Sequence, residues 1–204
     1  TYERLDPVRF IGNYSSGKMG FALAEVCAER GAEVTLVAGP VALGISNPAI
    51  RRIDVESAEE MYQAAREAFP DSDAAILCAA VADYRPEQVA ERKIKREEKG
   101  EMTLRLVPNQ DIAASLGAMK REGQILVGFA LETDDGVSHA ESKLRRKNLD
   151  FIVLNSLRDP GAGFRCDTNK IAILDNAGTR TSFPLKSKRE VASDIVDRLV
   201  TCLR

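Results

Sequence analysis

The run DAAILCAAVADY, Asp73 to Tyr84, is the most apolar stretch of the sequence. It falls short of the roughly 18 apolar residues that a membrane-crossing helix needs. A strand that is apolar at consecutive positions has no solvent face. Its length and flanks suit a β-strand buried on both sides, as in a parallel sheet covered by helices. The run therefore predicts an α/β domain. It also directs attention to Asp83 at its carboxyl end, because ligands of open α/β sheets bind beyond the C-terminal ends of the strands.

The rest of the chain alternates to match. Met19, Leu23, Val26 and Cys27 recur at helical spacing and predict a helix from Ser16 to Arg30, ended by Gly31. EVTLVAGP reads as a short buried strand stopped by Gly39 and Pro40, and RRIDV as a shorter one. Ser57 is placed to cap the helix AEEMYQAAREAF. Further on, QDIAASLGAMKREG reads as a helix, QILVGFALET as a strand, GVSHAESKLRRKNL as a helix and DFIVLNSL as a strand. NKIAILDNAGTRTSFPL has the pattern of an antiparallel hairpin turning through Asn176 and Gly178. KREVASDIVDRLVTCLR closes the chain as a helix with an apolar stripe.

The fold class expected is α/β: a Rossmann-like, three-layer, doubly wound, mostly parallel sheet with a C-terminal antiparallel hairpin. It is read as one domain over residues 1–204. The segment from Tyr84 to Gly100 stands apart, being long, polar and rich in both charges before a possible strand in MTLRLV. Such a segment is either a binding loop or lid, or a solvated excursion.

A formal net charge of −2 argues against nucleic acid as the main partner. No apolar run suggests a membrane span, and no signal peptide is visible. Cys27, Cys78, Cys166 and Cys202 lie far apart and form no CxxC pair, which points away from disulfides and zinc and toward a reducing cytoplasm. Cys78 reads as a small core residue. His139 is the sole histidine, so histidine triads and multi-histidine metal sites are not expected. Its helix is expected to turn it to water.

The stretch IGNYSSGKMG nearly spells a phosphate-binding loop, but Met19 stands where the magnesium-binding hydroxyl belongs. Asn13, Ser15, Ser16 and Gly17 still present donors at a helix start, where the dipole favours an anion. Ordinary capping by Ser15 or Ser16 is the alternative. Lys93 and Lys95 lie in the polar segment, either solvated or as cations that a closing loop would bring to two anions. Lys143 and Lys147 emerge from one helical face beside Arg146. They either complement the helix dipole or clamp a polyphosphate. Leu77, Cys78 and Ala79 approach the crevice marked by Asp83. Phe129 either covers a base there or fills the core.

Taken together, DPVRFIGNYSSGKMG, VTLVAGPVAL, CAAVADYRP, KIK, NQDI, GFALET and KLRRKNLD closely resemble phosphopantothenoylcysteine synthetases, from Asp6 to the final helix. The resemblance implies a Rossmann-like homodimer that joins 4′-phosphopantothenate to L-cysteine. It implies CTP in the bacterial type, with Mg2+ accompanying the nucleotide, and an acyl-cytidylate intermediate. By resemblance Asn13 engages the acyl-cytidylate and Lys93 is the catalytic loop lysine. Leu77, Cys78, Ala79 and Asp83, the turn Gln110, Asp111, Ile112 and Ala113, and Phe129, Lys143 and Lys147 form the nucleotide set. Ser15, Ser16 and Gly17 join Asn13 in a cradle. No metal ligands follow.

Two departures matter. Gln110 stands where many relatives have Pro, so that turn is expected to be less rigid. The sequence also starts at TYERLDP, without the apolar strand and Gly-rich turn that ordinarily come first in the family; a trimmed start is the expectation, and only a true absence of that strand would cost the central sheet a member. A flavin-dependent phosphopantothenoylcysteine decarboxylase is the implied fusion or association partner, and flavin is not expected on this chain. Three alternatives stay open: the same ligase using ATP, an NAD(P)-dependent oxidoreductase on the same fold, and a nucleotide sensor without turnover.

Overall fold

The structure, a computed structural model, describes residues 1–96, 100–132, 136–156 and 166–203. The charged N-terminal residues form strands β1 (Tyr2–Asp6) and β2 (Arg9–Gly12), an antiparallel hairpin turning at Pro7 and Val8. Helix α1 (Lys18–Glu29) follows. It ends in a Schellman turn: Gly31, at φ 90°, donates to the Ala28 carbonyl at 3.0 Å and Ala32 to the Cys27 carbonyl at 3.1 Å.

Strands β3 (Val34–Ala38) and β4 (Ile50–Asp54) pair in parallel. Ser57 caps α2 (Ala58–Ala68), accepting the Glu60 N–H at 3.2 Å. Strand β5 (Ala74–Leu77) comes next, then β6 (Tyr84–Pro86), paired antiparallel with β7 (Leu106–Pro108). The expected strand in MTLRLV thus shrinks to its last two residues plus Pro108, and the polar segment itself opens as a strand.

The remainder runs as expected. Helix α3 (Ile112–Met119) leads to β8 (Ile125–Glu132), α4 (Gly136–Arg146) and β9 (Phe151–Ser156). After β10 (Thr168–Asn169) come β11 (Ile171–Asp175) and β12 (Arg180–Ser182), the C-terminal hairpin. A two-residue β13 (Lys186–Ser187) pairs with β10 and enters α5 (Lys188–Cys202). Ser187 and Glu190 form a reciprocal capping box there.

The main sheet has the order β12-β11-β9-β8-β5, with β5, β8 and β9 mutually parallel and β11 and β12 antiparallel. Helices α1 and α5 cover one face, packing Leu23, Val26, Val191 and Ile195 on Val127, Phe151, Val153 and Ile173. On the other face Met61, Leu116 and Leu144 of α2, α3 and α4 meet Leu126, Ile152, Leu154 and Leu174. Successive residues of β9 enter opposite cores, so a continuous apolar run is what three layers require.

Burial on both sides is therefore realised in β8, β9 and β11. It is not realised in the run that first suggested it. Strand β5 stops at Leu77, lies at the edge of its sheet and is only half-buried. From Ala80 to Asp83 the backbone bonds to other segments instead of a ladder. The Ala80 carbonyl accepts Thr1 N at 3.1 Å and Asn13 Nδ2 at 3.0 Å. Ala82 N donates to Thr1 Oγ1 at 3.1 Å, and its carbonyl accepts Asn109 Nδ2 at 2.8 Å.

The β3–β4 ladder stands apart from the main sheet, and among the described residues no strand joins β3 to β5. No helix among them is long and apolar enough to cross a membrane.

Candidate functional site

The site is built around the chain leaving β5. On one side the opening loop arrives from β2. Asn13 reaches Ala80 through its amide N–H groups, and Gly20 brings the first turn of α1 within 3.1 Å of Cys78 Sγ, measured from an ideal Cβ. Neither Ser15 nor Ser16 caps the helix. The N-cap is Gly17 at φ 77°, without a side-chain cap. The positive φ favours glycine there, and an added Cβ would also press on Val41 Cγ1 at 3.0 Å.

The N-cap itself offers no side chain to the first N–H groups of α1, which stand at the positive end of the helix dipole. This is not a P-loop. Strand β2 belongs to a hairpin outside the main sheet, and Met19 packs against the core.

On the other side sits the turn Pro108–Asp111. Asn109 ties it to the β5 exit, its N–H donating to the Asp83 carbonyl at 2.8 Å and its amide to Ala82. Arg85 holds the Pro108 carbonyl at 2.9 Å and Asn109 Oδ1 at 3.0 Å. Asp111 caps α3 by accepting the Ala114 N–H at 3.0 Å, and its carboxylate pairs with Lys147 at 3.0 Å. Burial alone would raise the Asp111 pKa; the Ala114 N–H and the Lys147 ammonium outweigh it and hold the carboxyl below its usual value. Gln110 is exposed between two anchored residues, while Ile112 is buried and Ala113 half-buried. Proline is not what fixes this turn.

Lys147 is placed by backbone contact. Gly117 of α3 lies so close to the Lys147 carbonyl that an added Cβ would sit 2.0 Å from its oxygen. Asn148, at φ 51°, turns the chain there and donates to the Gly117 carbonyl at 2.9 Å. Lys143, one turn earlier, is exposed, and its carbonyl accepts the Lys147 N–H at 2.9 Å.

Lys93 and Lys95 are both exposed. The segment that carries them is fastened as far as Ile94. Glu87 N donates to Arg105 at 3.0 Å, Ala90 N to Leu5 at 3.0 Å and Ile94 N to Asp6 Oδ2 at 3.1 Å. Residues 97–99 of the expected Tyr84–Gly100 loop lie outside the described residues.

Of the remaining expected residues, Ala79 and Asp83 are exposed, and Leu77 packs against the core formed by α2, α3 and α4. Cys78 and Phe129 pack against the opposite core. Burial pushes the Cys78 thiol up to about 12, so it is a packing group and not a nucleophile. Phe129 is a half-buried core aromatic. His139 is exposed, as its helix position suggested.

Sequence reasoning missed the Asp6–Arg9 pair, Asn109, Gly117 and Asn148. It also missed Asn155, 8% exposed at the end of β9, whose Oδ1 has no hydrogen-bond partner among the described residues. An Asp and an Arg flanking a Pro-Val turn were a readable signal; the others become visible only in tertiary contact.

A concavity of about 350 Å3 lies beside Lys18, Phe21 and Lys188, and one of about 430 Å3 beside Tyr2, Gly39 and Asp54. Neither includes Asn13 or Lys93. No group of three His, Cys, Asp or Glu side chains fit for a metal occurs among the described residues. What the site offers is amide, backbone N–H and ammonium donors around small residues, which is chemistry for an anion bearing a flat group.

Comparison with known proteins places this geometry in context. Residues 1–203 match the family described as the DNA/pantothenate metabolism flavoprotein C-terminal domain. A cysteine/cysteine sulfinic acid decarboxylase from an unknown prokaryotic organism is 58% identical over 98% of this chain and 56% of its own length. The coenzyme A biosynthesis bifunctional protein CoaBC of Vibrio vulnificus is 44% identical over 100% of the chain and 50% of its own length. The chain thus spans about half the length of these relatives. The crystal structure of the C-terminal domain of a CoaBC protein superimposes with a TM-score of 0.82 at 41% identity, covering 100% of this chain and 92% of that one.

Proposed function

We propose that this chain, which belongs to the DNA/pantothenate metabolism flavoprotein C-terminal domain family, joins 4′-phosphopantothenate to L-cysteine with CTP as the activating nucleotide. One observation carries the reading: Asn13 and the Asn109–Asp111 turn are both fastened to the chain leaving β5. That gives one place with donors on two sides, as two anions that repel each other require.

In the first step a carboxylate oxygen of phosphopantothenate attacks the α-phosphorus. The new O–P bond forms as the bond to the β-phosphate breaks, and pyrophosphate leaves. In the second step the cysteine amine attacks the acyl carbon, the amide bond forms and CMP departs. The amine's surplus proton passes to solvent.

Asn13 and the start of α1, with Ser15, Ser16 and Gly17, hold the acyl-phosphate. Lys93 neutralises charge that develops at the α-phosphate. Lys143 and Lys147 face the leaving phosphates, which Lys147 reaches by exchanging its bond to Asp111. Leu77, Cys78, Ala79 and Asp83, with Gln110 to Ala113, line the nucleotide, and Phe129 backs the crevice from within the core. Magnesium enters with the triphosphate, because Mg2+ binds chiefly through phosphates, water and one or two carboxylates.

The chain acts as a homodimer in the cytoplasm. Support comes from apolar side chains exposed on the two hairpins: Val8, Phe10, Tyr84, Met102 and Leu106. The decarboxylase half of the bifunctional relatives is the natural fusion or association partner, and it carries the flavin.

Incubation with CTP, phosphopantothenate, cysteine and Mg2+ releases CMP and pyrophosphate in equal amounts. Absence of CMP from folded protein contradicts the reading. Two further arms separate its rivals. ATP in place of CTP tests base choice. Cysteine alone, without nucleotide, tests the decarboxylation named for the 58% identical relative; no CO2 is expected from this chain.

A further inference from the structure

The Asp6 carboxylate is buried, with the residue 1% exposed, and its two oxygens serve two different ends. Oδ1 accepts Val8 N at 2.9 Å and Arg9 N at 3.0 Å, which is the ordinary way an aspartate closes its own turn. Oδ2 accepts the Arg9 guanidinium, through Nε at 2.9 Å and through Nη2, and reaches across 88 positions to Ile94 N at 3.1 Å. The same Arg9 Nη2 donates to the Ile94 carbonyl at 2.7 Å. Both backbone polar groups of Ile94 are therefore held by one ion pair, and that ion pair lies in the hairpin turn.

Ile94 stands between Lys93 and Lys95. It is half-buried, whereas both lysines are exposed, so the grip falls on the backbone and leaves the ammonium groups outward. Strand β2 runs on from Arg9 to Gly12, and Asn13 follows at once. One small rigid unit thus carries Asn13 and anchors the segment bearing Lys93.

We propose that Asp6 is a positioning residue for Lys93: its ion pair with Arg9 clamps the Ile94 backbone and so fixes the lysine relative to Asn13. This rests on the role given to Lys93 above. Asp6 is not itself a catalytic residue. The clamp needs a carboxylate. An asparagine closes the turn equally well through its single carbonyl oxygen, but its NH2 group then faces the Ile94 N–H and the Arg9 guanidinium, donor against donor. Asp6→Asn therefore breaks the clamp while keeping the turn.

A misplacement of about 1 Å at a reacting group costs up to about a hundredfold in rate. The test is a double-mutant cycle on the complete protein, with kcat for CMP release measured for wild type, Asp6→Asn, Lys93→Gln and the double variant. Amide exchange at Ile94 is followed beside it. Asp6→Asn is expected to lower kcat roughly 10- to 100-fold in protein still folded at the assay temperature, with a lowered melting temperature and faster exchange at Ile94. The double variant is expected to be no slower than Lys93→Gln alone.

Wild-type kcat in Asp6→Asn, unchanged Ile94 exchange, or a double variant slowed by the product of the two single effects overturns the positioning role. Wild-type turnover by Lys93→Gln overturns instead the role of Lys93 on which it rests. Should Asp6→Asn not fold, Arg9→Lys takes its place in the same cycle, since it keeps the charge but loses the fork that spans Asp6 and Ile94.

Discussion

The Lys147 ammonium lies 3.0 Å from the carboxylate of Asp111, the residue that caps α3. The pair joins the end of α4 to the turn fastened on the β5 exit. Both partners are partly exposed, at 20% and 48% of the side chain, so the bond contributes about 1 kcal/mol or less to stability. Lys147→Gln is accordingly expected to leave the urea midpoint almost unchanged while raising KM for CTP several-fold. Wild-type KM would remove Lys147 from the triphosphate site.

Asn13 is expected to separate binding from partitioning of the intermediate. Its amide donates to the Ala80 carbonyl, and an aspartate there can neither donate nor lie easily beside a phosphate. Asn13→Asp should lower CMP release by roughly a hundredfold, on the scale of losing one preorganised donor, with thermal stability little changed. Rapid-quench analysis with and without cysteine shows the acyl-cytidylate directly; unaltered formation and breakdown would contradict the assignment.

Gly117 is a packing requirement. A Cβ there would lie 2.0 Å from the Lys147 carbonyl oxygen, and backbone cannot move aside as a side-chain tip can. Gly117→Ala is expected to destabilise by roughly 2–3 kcal/mol, although alanine is the better helix former. Urea denaturation reads this directly. A neutral or stabilised variant would mean that α3 and the α4–β9 corner are not in contact as described.

Acid should release the N-terminal hairpin. The Arg9 guanidinium, with the Val8 and Ile94 N–H groups, holds the Asp6 carboxyl well below the usual carboxylate range. The folded pKa is thus below the unfolded value of about 3.9. The stabilisation is fully present above that value and is lost as pH falls through the folded pKa. Urea midpoints measured from pH 6 downward should fall more steeply in wild type than in Asp6→Asn once pH drops below about 4. Parallel slopes would show that Asp6 is not selectively stabilised as a carboxylate.

The layers were legible where the local pattern and the tertiary environment agree. FIVLN and IAILD are apolar at successive positions because helices cover both faces of the sheet, and Ser187 with Glu190 spells its own helix start. The run at Asp73 misled because its carboxyl half spends its backbone bonds on Thr1, Asn13 and Asn109, partners remote in sequence. Ser15 and Ser16 looked like caps, yet Gly17 takes the N-cap in a left-handed turn, at a positive φ that disfavours a side chain, with Val41 close by. Asn13, Lys93 and Lys147 were nameable by resemblance. What holds them (Ala80, Ile94 and Gly117) had no local signature, since each acts through its backbone.

In the proposed function, donors on the hairpin side and on the α3–α4 side of the β5 exit serve one activated acid. The most direct test is quantitation of CMP and pyrophosphate from CTP, phosphopantothenate and Mg2+, with and without cysteine. Equimolar CMP and pyrophosphate are expected with cysteine, and pyrophosphate with a trapped acyl-cytidylate without it. Folded, nucleotide-binding protein that releases neither product would contradict it.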